Sequence, residues 1–406
     1  MPPWGTLAER RMSRSLTDAP SFMDDGDRSK PGSLALTLPL EIQLWIIVSL
    51  LIVIGLIMVY SASSTVGLKS LAESLDMEAT TSHYLARQLI CIALGMVILA
   101  TVSRFPYKRF GRLAPHLLGF AVVSLTLVLF FGVEKNNARR WFQLSGFLMQ
   151  PAEYAKVCWV VFLSAWVIRK QDRIKRMSVG FWPPMIWCGV LGGLLLLEPD
   201  FGTTFMIGCS TFVMLLLGGV PFRHLFALAP LAAAGFYKFV YLVPYRWERV
   251  TAFRNPWTDP LDSGYQLIQA WIAVGSGGFW GIGLGASQQK LFYLPEAFTD
   301  FILAVVAEEL GFAGIAAITV LFMMFFLTGL RISRSAPDQL GVLLAAGLTM
   351  LISLQALLNM GVVLGLMPTK GLPLPFISYG GSAFTANCVA VGILMNIARH
   401  ADKRVT

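Results

Sequence analysis

Residues 41–62 read EIQLWIIVSLLIVIGLIMVYSA, an apolar run whose only charge is Glu41 at its head. A helix needs ~20 such residues to cross a hydrocarbon core ~30 Å thick, and one that is apolar on every face has no side to turn to water. The run therefore predicts a membrane span. Lipid offers no water to backbone N–H and C=O groups, so a helix, which pairs them internally, is the expected form. Composition extends this reading to the whole chain. Its 406 residues are 56% hydrophobic and 14% charged, with a mean hydropathy of +0.66; soluble domains run at about 45–50% and ~25%. A water-soluble globule lacks that much apolar residue, and a disordered chain cannot leave it solvated.

Nine further runs follow, at about 85–103, 113–133, 151–168, 182–198, 203–220, 223–243, 301–329, 340–366 and 382–398. Only the short segment around Pro221 and Arg223 divides the sixth from the seventh. The expected fold is an all-α polytopic membrane protein of ten transmembrane helices. Residues 1–40 are polar, with neither an h-region nor a cleavage site, and read as a disordered cytoplasmic tail. The membrane domain runs over 41–398, and 399–406 form a second cytoplasmic tail.

The net charge of +9 comes from 32 Lys and Arg against 23 Asp and Glu. In a membrane protein this reads as orientation, with basic segments held inside, and not as a nucleic-acid partner. With both termini cytoplasmic, the inner segments hold 20 Lys and Arg and the outer ones ten. Residues 264–285 are apolar enough to suggest an eleventh span, but adding it leaves 17 inside and 13 outside. Ten spans fit better, which puts the long loop 244–300, between the seventh and eighth spans, outside. Within it 264–285 is expected to pack as an interfacial or re-entrant piece. The five cysteines lie inside apolar runs, odd in number and without zinc-site spacing, so they imply neither disulfides nor a metal cluster.

Ionisable residues at membrane depth are functional candidates by default, and the outer side carries four groups. Arg139 and Arg140 lead to Gln150-Pro151-Ala152-Glu153 and on to Lys156. Pro151 suits a helix start, and Glu153 and Lys156, three apart, share a face; they form either an internal ion pair or part of an anion site. Glu198-Pro199-Asp200 is a turn with two acids and no base, where Asp200 reads first as the cap of the next helix. Asp300, near Lys290 and Glu296, stands where water meets lipid, either as a helix cap with Thr299 or as a reactive acid. Glu308 and Glu309 follow two turns into that span and need partners or a wet cavity. The fourth group runs from Asn359 through Pro368, Lys370, Pro373, Pro375 and Ser378 to Ser382. It is a rigid connection that is either a structural plug or the wall of a cavity with Lys370 near an anionic head group.

These residues resemble the SEDS family (shape, elongation, division and sporulation). The likeness rests on Ala138-Arg139-Arg140-Trp141, Gln150-Pro151-Ala152-Glu153, Glu198 through Thr203, Gly264-Tyr265-Gln266, Gly275 through Gly278, Gln289-Lys290-Leu291, Tyr293 through Ala297, Thr299-Asp300-Phe301, Glu308 through Gly311, and the signature run Pro373 through Ser382. It covers about 41–398. Two positions depart from the pattern: Phe298 replaces the usual His before Thr-Asp, and Ala152 replaces the usual Ser.

The resemblance implies a peptidoglycan glycosyltransferase that polymerises lipid II on the outer face of the bacterial cytoplasmic membrane. Its partners would be a class B penicillin-binding protein transpeptidase and other membrane proteins of the division machinery. The polar N-terminal tail, like those of division members, points to the septum. The family's catalytic acid falls on Asp300. The attacking sugar hydroxyl needs a base, and the pyrophosphate leaving group needs positive charge more than an acid. Asp300 is thus the expected base. Arg139, Arg140, Glu153, Lys156, Asp200, Lys290, Glu296, Lys370 and Ser378 are the expected substrate-binding residues. A divalent cation, Mg2+ or Mn2+, is the one cofactor that would assist, although no ligand cluster marks it. The rival readings are a lipid II flippase, suited by Glu308, Glu309 and the broken connection, and a non-enzymatic division scaffold.

Overall fold

The computed structural model describes residues 38–63, 81–135, 138–144, 147–227, 230, 234–235, 237–262, 264–291, 293–369 and 371–402. The long helices are α1 (Leu40–Ser63), α2 (Thr81–Arg104), α3 (Tyr107–Phe131), α4 (Pro151–Arg169), α5 (Trp182–Leu197) and α6 (Phe201–Leu217). After the short α7 (Phe222–Phe226), α8 (Pro244–Arg254) and α9 (Tyr265–Gly277) come α10 (Ile302–Ser335), α11 (Gln339–Val363) and α12 (Gly381–Asp402). Eight described segments are long and apolar enough to cross a membrane, and the shorter apolar α6 joins them. A polytopic helical membrane fold follows. The seventh expected run is not one long helix among the described residues: it contains α7 and the π-helical turn Tyr237–Tyr241, and part of it lies outside the described residues.

The all-helical expectation needs one correction. Between α3 and α4 lie β1 (Val133–Lys135), β2 (Ala138–Leu144) and β3 (Phe147–Met149), antiparallel in the order β1-β2-β3 with Lys135 opposite Ala138 and Leu144 opposite Phe147. All but Val133 lie beyond the apolar runs, where a short connection can satisfy its backbone by pairing across tight turns.

Two polar layers tie the bundle at its ends. At the end assigned to the cytoplasm by charge, Glu41 pairs with Arg399. The Tyr107 hydroxyl donates to Asp338 (2.8 Å) and the Tyr107 N–H to Asn396 (3.0 Å). Asp338 also caps α11 by accepting from the Gly341 N–H at 2.8 Å. At the opposite end the connection 371–380 rests on protein. A Cβ on Gly55 of α1 would stand 2.5 Å from the Phe376 carbonyl, and one on Gly202 of α6 would stand 2.9 Å from Leu372. Irregular backbone at this depth is admissible only in such a packed setting.

α10 is broken at Gly311 (φ 66°, ψ −162°). The carbonyls released there accept from outside the helix: Glu308 from the Ile282 N–H (3.0 Å) and Glu309 from the Gly283 N–H (3.1 Å). In return the Phe312 and Ala313 N–H groups donate to Gly278 and Phe279, at 2.9 and 3.0 Å. The stretch 264–285 is thus the helix α9 followed by a glycine turn that closes the break in α10.

Candidate active site

Asp300 stands one residue ahead of the α10 cap, Phe301, which makes no side-chain cap bond. The capping alternative is therefore corrected: Asp300 does not cap α10, and the Thr299 hydroxyl donates instead to Glu296 (2.7 Å). The Asp300 carbonyl accepts from the Asn359 side-chain amide at 2.7 Å, and the same NH2 group donates to the Leu372 carbonyl at 2.6 Å. Gly371 approaches so closely that a Cβ there would meet Asp300 Oδ2 at 2.8 Å.

One turn back on α11, Gln355 repeats the motif. Its Nε2 donates to the Pro373 carbonyl (2.9 Å), and its Oε1 accepts from Lys156 Nζ (2.7 Å). Lys156 also pairs with Glu153 at 2.9 Å, both buried. Two amides spaced i, i+4 share a helix face. Here they hold two consecutive loop carbonyls and join the Asp300 turn to the ion pair of α4.

Arg140, on β2, reaches the turn between α5 and α6, its Nε donating to the Glu198 carbonyl (2.8 Å) and a terminal N–H to the Pro199 carbonyl (2.6 Å). Asp200 caps α6, accepting from the Thr203 N–H (3.0 Å) and hydroxyl (2.8 Å). Glu198 is 0% exposed, and neither of its carboxyl oxygens has a hydrogen-bond partner among the described residues. Burial pushes its carboxyl up to about 8, with Asp200 adding to the rise and Arg140 opposing it. Half-buried Asp300 is pushed up to about 7, by burial first and then by the carboxylates of Glu296 and Asp200, with Arg140 pulling the other way and Glu153 adding a little. Glu296 (φ 54°) and Phe376 (φ 65°) hold left-handed backbone on either side of this cluster, a strain typical of functional loops.

The structure thus gathers Asp300, Arg140, Asp200, Glu296 and Glu153 into one electrostatic group. Among the described residues, the other expected substrate contacts have partners of their own. Lys156 is buried between Glu153 and Gln355 and serves the framework. Lys290, 6% exposed, pairs with Glu309 (2.9 Å) and donates to Ser61 (3.1 Å) and the Gly285 carbonyl (2.7 Å). Glu308 accepts from the Ser287 hydroxyl and from the N–H groups of Gln288 and Gln289. The buried Ser378 hydroxyl accepts from the Leu374 N–H (2.8 Å), closing a turn. Exposed Arg139 lies 3.4 Å from Glu134. Lys370 falls outside the described residues. No group of three or more His, Cys, Asp and Glu among the described residues fits a metal ion.

Asn359 had no expected role of its own, Gln355 was not singled out, and Gly371 counted only as one glycine of the rigid connection. The signal for the first two was the Gln-x-x-x-Asn spacing ahead of a proline-rich break.

Fold and site together define a membrane-embedded protein with an acid–arginine site at one end of its helix bundle. Residues 41–403 match the model of the FtsW–RodA–SpoVE family, described as cell cycle protein, and the chain belongs to that family, the SEDS proteins. It is 41% identical over 346 residues to the probable peptidoglycan glycosyltransferase FtsW of Geobacter sulfurreducens, covering 85% of this chain and 91% of that one. It is 39% identical over 366 residues to the stage V sporulation protein E of Bacillus subtilis, covering 89% and 97%. Among solved structures it resembles a chain of a peptidoglycan synthase complex that coordinates polymerization and crosslinking (TM-score 0.67, 30% identity, 85% of this chain and 97% of that chain). It also resembles the rod shape determining protein RodA of Thermus thermophilus (TM-score 0.63, 26% identity, 88% and 95%).

Proposed function

We propose that this protein is a peptidoglycan glycosyltransferase that polymerises lipid II at the outer face of the cytoplasmic membrane during septal wall synthesis. It would work beside a class B penicillin-binding protein and other division proteins. The family relationship and the names of its relatives support the reaction. The observation that carries the mechanism is the half-buried Asp300 carboxyl, raised to about 7 by burial and neighbouring acids against the opposing charge of Arg140. A base poised near the working pH suits deprotonation of a weakly acidic sugar hydroxyl. Single displacement then inverts the α-linked donor with one essential carboxylate in place of a nucleophile–acid pair. Arg140 keeps N–H groups beyond the two given to carbonyls, so it is the described cation best placed to neutralise the pyrophosphate. The full topology of this reading has ten crossings, both termini cytoplasmic, and 244–300 outside.

Lipid II flipping is the weaker alternative. The carboxylates that would line its path, Glu308 and Glu309, are committed to Ser287 and Lys290, and the break in α10 is closed by 278–283. A lipid II polymerisation assay in detergent with the cognate transpeptidase decides between them, because flipping requires a bilayer and polymerisation does not. Wild type should make polymer and Asp300→Ala should make none; polymer at the wild-type rate from Asp300→Ala would refute the assignment of the base.

A further inference from the structure

At the opposite end of the bundle from Asp300, a cavity of about 200 Å³ opens between the start of α3, the end of α4 and the start of α11. Lys108, Arg112 and Arg169 line it together with Ala165, Ile168 and Leu340. The cations stand in the first turns of one apolar span and at the last residue of another, Tyr107–Phe131 and Pro151–Arg169, which is headgroup level. Ala165 and Ile168 lie deeper along α4. The cavity thus has both cationic and apolar lining. Arg169 commits one N–H to the Gly111 carbonyl (2.8 Å), and Lys108 is 3.4 Å from Asp338. No carboxylate among the described residues pairs with Arg112 or Arg169. The N-terminal ends of α3 and α11 add positive potential to the same place, against the negative C-terminal end of α4 on which Arg169 stands.

We propose that this cavity binds the phosphodiester of an anionic membrane phospholipid. The phosphate lies against Arg112 and Arg169, and the glycerol and first methylenes lie over Ala165, Ile168 and Leu340. The volume falls below the ~300 Å³ at which drug-sized pockets begin, which suits a headgroup and not a nucleotide. An acidic peptide would match the cations but leave the apolar lining uncovered. Charge asymmetry assigns this end to the cytoplasm, and anionic lipids enrich that leaflet.

The test is thermal unfolding of the full chain in mild detergent. It is titrated with dioctanoyl phosphatidylglycerol, dioctanoyl phosphatidylcholine or sodium phosphate at matched concentrations. Phosphatidylglycerol should raise the midpoint and the other two should not. Arg112→Gln should need about fivefold more phosphatidylglycerol for the same rise, the worth of one basic residue at an anionic surface. Arg331→Gln, at the same end on α10, should respond as wild type. Equal effects of the two lipids would overturn the proposal, as would a full effect from phosphate alone or a wild-type response of both Arg112→Gln and Arg112→Glu. If a variant unfolds early, native mass spectrometry decides instead: wild type should retain more phosphatidylglycerol than Arg112→Gln, and equal retention would overturn the proposal.

Discussion

Asp300 shows how one side chain's surroundings set both its chemistry and its cost. A carboxyl raised to about 7 is half protonated at neutral pH, and a base works only when deprotonated. Polymerisation should rise with pH through an acid limb centred near 7, running about tenfold below its plateau one unit lower. Stability should move the opposite way. Between about pH 4 and 7 the folded chain holds a proton that the unfolded chain has released, so stability falls as pH rises through that window. Asp300→Asn should abolish polymer yet unfold at a higher temperature than wild type at pH 8, with the difference gone near pH 4. Asn359→Ala removes the amide that holds the Asp300 and Leu372 carbonyls. It should lower kcat by about 10- to 100-fold with little change in KM, since small misplacements of reacting groups are that costly. It should also shift the acid limb below 7, as water reaches the carboxyl. A kcat loss with an unmoved limb would reduce Asn359 to a folding role. The acid was legible from its motif and from its place at a span's edge. Its partners were not, because Asn359 and Arg140 are 59 and 160 residues away in sequence and only the fold brings them close.

The break in α10 is a property of elements. Nine residues, 302–310, stand between the break and the cap beside Asp300, so the way the break is closed fixes the pedestal of the site. The closure depends on glycine twice over. Gly311 holds a left-handed φ, and a Cβ on it would stand 2.4 Å from the Gly281 nitrogen; a Cβ on Gly277 would stand 1.9 Å from the Ala307 carbonyl. Gly311→Ala should destabilise by roughly 1–3 kcal/mol, and Lys290→Met, which strands buried Glu309, by roughly 3–5 kcal/mol. Both would show as lower midpoints in thermal unfolding, and a wild-type midpoint for Lys290→Met would mean Glu309 draws its stability from Ser61 alone. Hydropathy located the long spans to within a few residues because an apolar run has one use in a bilayer. It said nothing of the break, since Leu310-Gly311-Phe312 is as apolar as its surroundings. Nor did it show that Lys290, expected near a substrate from the family resemblance, pairs with Glu309, because pairing with a carboxylate 19 residues on leaves no mark in composition.

At the scale of the whole molecule, the charge count and the polar layers concern the same two ends of the bundle. Asp300, Arg140, Glu198 and the 371–380 connection share one end, and Glu41–Arg399, Tyr107–Asp338 and the basic cavity share the other. An even number of crossings between Arg173 and Trp257 would put the two residues on the same side. The ten-span reading has three, α5, α6 and the run 223–243, and puts them on opposite sides. That third crossing is the one the described helices leave open, so it is where the topology is most worth testing. The five native cysteines all lie within membrane-spanning helices, which keeps background labelling low. In intact cells Trp257→Cys, 63% exposed in wild type, should react with a membrane-impermeant maleimide, and Arg173→Cys should react only after permeabilisation. Labelling of both positions from one side would remove the seventh crossing. It would also contradict the packing that sets the 371–380 connection beside α6 and Arg399 beside Glu41, because α10 can start at the Asp300 end only if the chain crosses once between α6 and α10.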